Sequence, residues 1–119
     1  MNVRRWLPPA VWAAFILILT SIPGRDLPGI GIPHLDKAIH LCLYAIFAWL
    51  LTRAVAARAP YAGRILVVLA AIVCFGAADE WHQQFIPGRS MDVYDWIADS
   101  TGALAGAVTF LLRRESRAI

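Results

Sequence analysis

A strongly polar segment inside an apolar chain is the feature that most constrains the fold. Residues 79–100 carry six charged side chains, one histidine and two adjacent glutamines, although the whole chain is 60% hydrophobic and only 16% charged. Apolar runs flank this segment at residues 65–78 and 103–112. If the runs are helices in lipid, the polar segment lies at or just inside one membrane surface. Ionisable groups at that depth are costly, so function is their default explanation.

The composition is that of a membrane protein. An average soluble domain is about 25% charged and 45–50% apolar, and this chain departs from both values in the same direction. Its mean hydropathy is +0.62. A length of 119 residues predicts one domain, residues 1–119. Cys42 and Cys74 fall in apolar runs without metal or disulfide spacing, so we predict buried free thiols.

Four apolar segments predict four helices, at about residues 7–22, 36–57, 64–85 and 92–112. Pro8 and Pro9 suit a first helical turn, and Pro60 with Gly63 predicts a turn. No run reaches the roughly 18 apolar residues of an ideal membrane span. The runs become long enough when their polar outer turns are counted, whereas a soluble bundle would need four polar faces. The predicted fold is therefore all-α, a four-transmembrane-helix bundle.

The basic residues predict its orientation. Four crossings place eight of the 11 basic residues on one side, and by the positive-inside rule both termini are then cytoplasmic. Seven of the eight acidic residues and all three histidines fall on the outward half. The eight basic residues are Arg4, Arg5, Arg53, Arg58, Arg64, Arg113, Arg114 and Arg117.

Polar residues recur on one face of the second helix and of the fourth. Asp36, His40 and Tyr44 are spaced by four, and so share a face that runs from the surface into the membrane. Asp99 lies two turns into the fourth helix, where an unpaired carboxylate is costly, so we expect a partner, with His40 the nearest candidate and His82 or Arg89 the alternatives. Below it, Gly102 and Gly106 form a G-x-x-x-G that lets the second or third helix approach closely.

These helix ends predict one outward-facing pocket. Glu80 and Asp95 lie at similar depth, and we expect His40, Glu80 and either Asp95 or Asp99 to lie within direct or one-water reach. Asp92 and Asp95 also stand where capping alone could explain them. The candidates for acid–base chemistry are His40, Glu80, His82, Asp95 and Asp99. The candidates for substrate binding are Asp36, Lys37, Tyr44, Asp79, Gln83, Arg89 and Ser90.

Three details of this pocket are predicted separately. Arg89 is the best group to hold a phosphate or carboxylate, because its planar fork matches either, although an exposed pair with Asp92 would also explain it. Capping of the fourth helix explains Ser90 better than nucleophilic catalysis does. A metal is possible, because His40, Glu80, His82 and Asp99 could supply ligands, but it is not indicated, because these residues lack a spacing such as H-E-x-x-H. No other cofactor is predicted.

The tetrapeptide Ile-Pro-Gly-Arg occurs twice, at residues 22–25 and 86–89, each time after an outward-going helix. An ancient duplication is one explanation. A shared way of ending a helix is the simpler one.

Three motifs together resemble the VanZ-like membrane proteins. They are D-K-x-x-H-x-x-x-Y from Asp36, D-E-x-H-Q-x-F-x-P-G-R-S-x-x-x-x-D from Asp79, and D-x-x-G-x-x-x-G from Asp99, where the family often has Asn. The resemblance implies a small multi-pass protein of the bacterial cytoplasmic membrane. It also implies a link to glycopeptide resistance, since the family is named after a member that lowers sensitivity to teicoplanin. It does not imply a reaction.

Two classes of function follow. In the first, the protein binds or modifies an anionic lipid or lipid-linked envelope precursor at the outer leaflet, with Arg89 and Lys37 at the head group and Glu80, His40 or His82 as acid or base. In the second, it is a non-enzymatic membrane partner whose polar residues only hold the bundle together. We expect no nucleic-acid partner, and the sequence indicates no oligomeric state.

Overall fold

A computed structural model describes residues 3–56 and 62–118, and four α-helices make up most of them. They are α1 (Leu7–Thr20), α2 (Leu35–Ala56), α3 (Ala62–Gln83) and α4 (Val93–Ser116), with short 3₁₀ turns at Val3–Arg5 and Gly24–Asp26. No strand occurs in the described residues, so the prediction of an all-α fold of four helices is confirmed. The predicted turn at Pro60, the end of α2 at Ala57 and the charge of Arg58 lie outside the described residues.

The helix bounds differ slightly from those predicted. The two prolines do occupy the first turn of α1. At its other end, α4 continues four residues past the predicted Leu112, through the basic residues of the last turns. Its first residue is Val93, because Asp92 has extended backbone angles and is the N-cap.

Within the described residues, three helices are long and apolar enough to cross a membrane: Val3–Thr20, Leu35–Ala56 and Gly63–Gln83. The longest helix, α4, is not among them; its first turns carry Asp95 and Asp99 and are followed by hydroxyl residues and glycines. With a rise of about 1.5 Å per residue, its 24 residues still extend for roughly 36 Å.

The outer surface of the bundle is apolar. Leu66 and Val67 are 70% and 68% exposed, and many other large aliphatic side chains also point outward. The polar residues are instead buried between the helices, an arrangement that suits lipid and not water. Cys42 and Cys74 are free thiols, as predicted, but both are exposed and not buried. That part of the prediction is wrong because both lie on the outward sides of their helices.

Helices α2 and α4 pack closely through two glycines. A Cβ atom at Gly102 would overlap the Leu41 carbonyl, and one at Gly106 would overlap the Ala45 carbonyl. The small face of α4 is therefore pressed against α2, one of its two predicted neighbours. Indole groups add hydrogen bonds between helices: Trp12 Nε1 donates to the Leu43 carbonyl at 2.9 Å, and Trp96 Nε1 donates to the Val73 carbonyl at 3.0 Å.

Replacement of the first of these glycines is expected to loosen the bundle. Gly102→Leu would force α4 away from the α2 backbone, and we expect the melting temperature in detergent to fall by roughly 5–15 °C. Thermal unfolding followed by circular dichroism measures the change. Gly29→Leu is the matched control, because a Cβ at Gly29 meets no atom within 4 Å. Equal melting temperatures for the two variants would contradict the close α2–α4 packing.

Candidate functional site

Apart from Thr52 in the second half of α2, the buried polar side chains of the described residues gather at one end of the bundle. Because consecutive helices alternate in direction, α1 and α3 end where α2 and α4 begin. The side chains that meet there are called the polar cluster, and they are Thr20, Lys37, His40, Tyr44, Asp79, Glu80, Gln83, Asp92, Asp95 and Asp99.

His40 lies at the centre of this cluster. Its Nδ1 is 2.8 Å from Asp99 Oδ1 and 3.9 Å from Glu80 Oε1, and its Nε2 is 3.7 Å from Asp95 Oδ2. The first distance is a hydrogen bond and the other two are within the reach of one water. The predicted proximity of His40 to these three carboxylates is therefore present, and Asp99 has the partner expected for it.

The contact with Asp99 orients the imidazole. An ionised carboxylate can only accept a hydrogen bond, so Nδ1 must be the donor. In a neutral ring the other nitrogen, Nε2, then keeps its lone pair and faces Asp95. Both His40 and Asp99 are buried, with 7% and 0% of their surface exposed, so this orientation is fixed by packing as well.

Lys37 is surrounded by carboxylates. Its Nζ lies 2.6 Å from Asp36 Oδ2, 2.7 Å from Asp92 Oδ2 and 2.8 Å from Asp95 Oδ1. The hydrogen bond from this ammonium group, with a second from the Tyr94 amide, lowers the pKa of Asp92 below its usual range. Asp92 caps α4, whereas Asp95 pairs with Lys37, so capping explains only the first of the two.

Asp79 is satisfied by hydroxyl groups. Thr20 Oγ1 donates to its Oδ1 at 2.7 Å, and the Tyr44 hydroxyl donates to its Oδ2 at 3.2 Å. Three helices therefore meet at one fully buried carboxylate, which is only 1% exposed. Its partners are neutral, unlike those of Asp95 and Asp99.

Glu80 connects α3 to the loop that follows it. Its Oε1 accepts from Gln83 Nε2 at 3.1 Å, and its Oε2 accepts from the Asp92 amide at 2.9 Å. The second bond fixes the start of α4 against the end of α3. Glu80 is only 2% exposed, so it lies inside the bundle. The expectation that it faces a pocket stays a prediction.

Arg89 does not occupy the predicted place at the mouth of the cluster. Its Nε donates to the Ile22 carbonyl at 3.0 Å, its Nη2 to the Leu19 carbonyl at 3.2 Å, and its Nη1 approaches Gln83 Oε1 at 3.4 Å. The guanidinium group thus satisfies carbonyls left open at the end of α1. Neither an exposed pair with Asp92 nor a free anion-binding fork describes it.

The remaining predicted residues lie at the edge of the cluster. Asp36 is exposed and contacts Lys37. Ser90 is exposed and does not cap α4, because the cap is Asp92; the capping prediction for Ser90 is wrong by two residues. His82 is half-buried, and among the described residues its Nδ1 has no hydrogen-bond partner.

A match to a protein family includes every residue of the polar cluster. A family model described as VanZ/LLP1 matches residues 4–114. The chain belongs to the VanZ/LLP1 family. It matches no curated protein and no solved structure.

In this member of the VanZ/LLP1 family, the repeated tetrapeptide marks a contact that sequence reasoning missed. The two Ile-Pro-Gly-Arg loops touch: the Gly24 amide donates to the Pro87 carbonyl at 2.9 Å, and a Cβ on Gly24 would overlap the Gly88 carbonyl. The contact holds the end of α1 beside the end of α3, which places Thr20 next to Asp79. In the sequence, the repeated tetrapeptide is the feature that could have predicted this contact between the loops, and with it the position of Thr20.

Arg89→Lys is expected to destabilise the protein, because an ammonium group cannot reproduce the fork that joins the two loops. Loss of charge-assisted bonds to carbonyls should lower the melting temperature in detergent by roughly 3–8 °C. Arg25→Lys is the control, since the Arg25 side chain is 83% exposed and should tolerate the same change. If the Arg89 and Arg25 variants melt together, Arg89 is not a structural link.

Proposed function

We propose that the polar cluster binds the polar head group of a membrane lipid or lipid-linked cell-envelope precursor, with His40 as its acid–base group. The observation that carries the proposal is the position of His40, held by Asp99 at 2.8 Å with Glu80 and Asp95 within 3.9 Å. Converging carboxylates and an imidazole in a site of low dielectric are what general acid–base chemistry uses.

The division of roles follows from the hydrogen bonds. Asp99 positions His40 through Nδ1, which leaves Nε2 to take a proton from a hydroxyl group or water of the bound molecule. An aspartate that orients a histidine in this way is the arrangement that supports a general base in many hydrolases. Glu80 and Asp95 are the second acid–base groups, because each lies within one water of the ring.

Neither predicted cation is available for an anionic head group. Lys37 is in contact with three carboxylates, and Arg89 is occupied by carbonyls of α1. A phosphate bound here would therefore need another positive charge. We therefore retain a lipid or lipid-linked precursor as the ligand, but Arg89 is not among the residues proposed to bind it.

The location of the cluster supports an envelope ligand. With both termini cytoplasmic in a bacterial inner membrane, the cluster would face outward, where lipid-linked precursors are used. The proposal includes the effect on teicoplanin sensitivity that membership of the family suggests.

A structural role is the second candidate. Most groups of the cluster have partners inside the bundle, and the contacts join all four helices. A non-enzymatic membrane component whose polar cluster only holds the helices together would have the same hydrogen bonds. The two candidates differ in what removal of a single charge does to stability.

The orientation is tested by reporter fusions. We expect a reporter at the carboxyl terminus to be active in the cytoplasm and one in the loop at residues 26–35 to be active outside, because eight of the 11 basic residues lie on the side of the termini. An external carboxyl terminus would place the cluster inside the cell and end the proposal of an envelope ligand.

The ligand is tested by mass spectrometry of lipids that copurify with the protein. We expect a discrete species with the unaltered chain that is lost in His40→Gln and Glu80→Gln. The melting temperature of Glu80→Gln should stay within a few degrees or rise, since loss of one carboxylate reduces the excess of buried negative charge. Arg25→Gln, at the same end but outside the cluster, should keep the lipid. Unfolding of Glu80→Gln as severe as that of Gly102→Leu would favour the structural role instead.

A further inference from the structure

The polar cluster contains more negative charge than its own cations balance. Four of its carboxylates lie around one lysine and one histidine, and Asp79 adds a fifth that only hydroxyl groups contact. Even with His40 protonated, the four leave a net charge of −2. In a low-dielectric site such an excess is neutralised by protons or by a bound cation. The four are Glu80, Asp92, Asp95 and Asp99.

One of these carboxylates has an oxygen without a partner. Asp99 Oδ2 is buried and has no hydrogen-bond partner among the described residues. Asp99 is 0% exposed, so bulk water does not satisfy this oxygen. Asp95 Oδ1 is paired with Lys37 Nζ at 2.8 Å, and Asp95 Oδ2 faces His40 Nε2 at 3.7 Å. Asp99 is therefore not fully satisfied by the residues of the cluster.

The set of possible ligands is specific. One atom each from His40, Glu80 and Asp95 can be chosen so that all three lie within 4.8 Å of one another. His40 Nε2 and Asp95 Oδ2, at 3.7 Å, are a few tenths of an ångström wider than the edge of a tetrahedron built on bonds of ~2.1 Å. Three protein ligands with a fourth position left open are the number found in catalytic zinc sites, whose ligands include imidazole and carboxylate groups.

The hydrogen bond to Asp99 fits the same assignment. Histidines that bind a metal almost always donate their other ring nitrogen to a carboxylate or carbonyl, which fixes the tautomer. With Asp99 ionised, Nδ1 donates to it, and Nε2 is the nitrogen left for a metal. The spacing of these residues in the sequence does not indicate a metal site, whereas their arrangement across α2, α3 and α4 does indicate one.

We propose that His40, Glu80 and Asp95 bind one divalent transition-metal ion, for which Zn²⁺ is the probe, and that Asp99 positions His40 for it. The ion would reduce the excess negative charge of the cluster. Because it would occupy Nε2, it would also replace His40 as the group that activates a hydroxyl group or water. Its open coordination position would face a phosphate or hydroxyl oxygen of the head group and supply the positive charge that Lys37 and Arg89 do not. The head-group part rests on the proposed function, whereas the metal site does not.

The test is titration of the purified, chelator-treated full chain in detergent with ZnCl₂, followed by calorimetry and thermal unfolding. We expect one Zn²⁺ per chain and a rise in melting temperature with Zn²⁺. His40→Asn should abolish both effects. Asp99→Asn should weaken Zn²⁺ binding by roughly 10–100-fold, the usual effect of losing a positioning partner.

His34→Asn is the matched control. His34 is exposed in the loop before α2 with a φ of 57°, a conformation that asparagine tolerates, and it should bind Zn²⁺ as the unaltered chain does. Loss of binding in His34→Asn but not in His40→Asn would overturn the proposal, as would a chelator-treated chain that Zn²⁺ neither binds nor stabilises. If His40→Asn does not fold, Asp99→Asn decides the question by its affinity for Zn²⁺.

The two proposals can fail separately. Zn²⁺ binding that depends on His40, without a copurifying lipid, upholds the metal site and removes the proposed ligand. A lipid that depends on His40, in a chain that does not bind Zn²⁺, upholds the ligand and overturns the metal site. Visible absorption of Co²⁺ bound in place of Zn²⁺ reports tetrahedral coordination directly, and a spectrum of fully hydrated Co²⁺ would also count against the site.

Discussion

Burial of carboxylates at one end of an apolar bundle is the constraint on which this structure depends. Each carboxylate must find donors within the protein, because lipid offers none. Every helix contributes to this requirement: Thr20 from α1, Lys37 and His40 from α2, and Gln83 from α3, while the backbone amide of Asp92 closes the start of α4. The helices therefore have to end at the same level, and their alternating direction is what brings these ends together.

Close packing of two backbones makes these contacts possible. Between helices in lipid there is little hydrophobic driving force, so van der Waals contact and hydrogen bonds have to hold the bundle together. Gly102 and Gly106 bring α4 against the carbonyls of Leu41 and Ala45, and one turn above Gly102 the side chains of His40 and Asp99 meet at 2.8 Å. Larger residues at the glycines would separate both pairs. The small face and the polar face of α4 are two parts of one interface.

Periodicity in the sequence predicted much of this arrangement, since it reports which residues share a helix face. The four helices, the inward face of α4 and the meeting of His40 with Asp99 follow from spacings of three and four. It does not report the rotation of one helix about another, which is why Cys42 and Cys74 were expected inside and lie outside. Periodicity also cannot predict where a long side chain in a loop lies. The Arg89 side chain contacts the carbonyls of Leu19 and Ile22 at the end of α1 because two loops far apart in sequence touch.

The carboxylates of the cluster differ in the kind of partner they have, and this difference separates structure from function. Asp79 accepts two hydroxyl hydrogen bonds and needs no counterion, so its place is explained by its neighbours from α1 and α2. Asp99 is as deeply buried, yet its Oδ2 has no hydrogen-bond partner among the described residues. Asp95 is paired with Lys37 and, like Asp99, faces His40. A cluster that served only to join helices would gain by satisfying the free oxygen of Asp99, as it satisfies both oxygens of Asp79. A buried oxygen without a partner is a group for which the proposed site gives a functional reason.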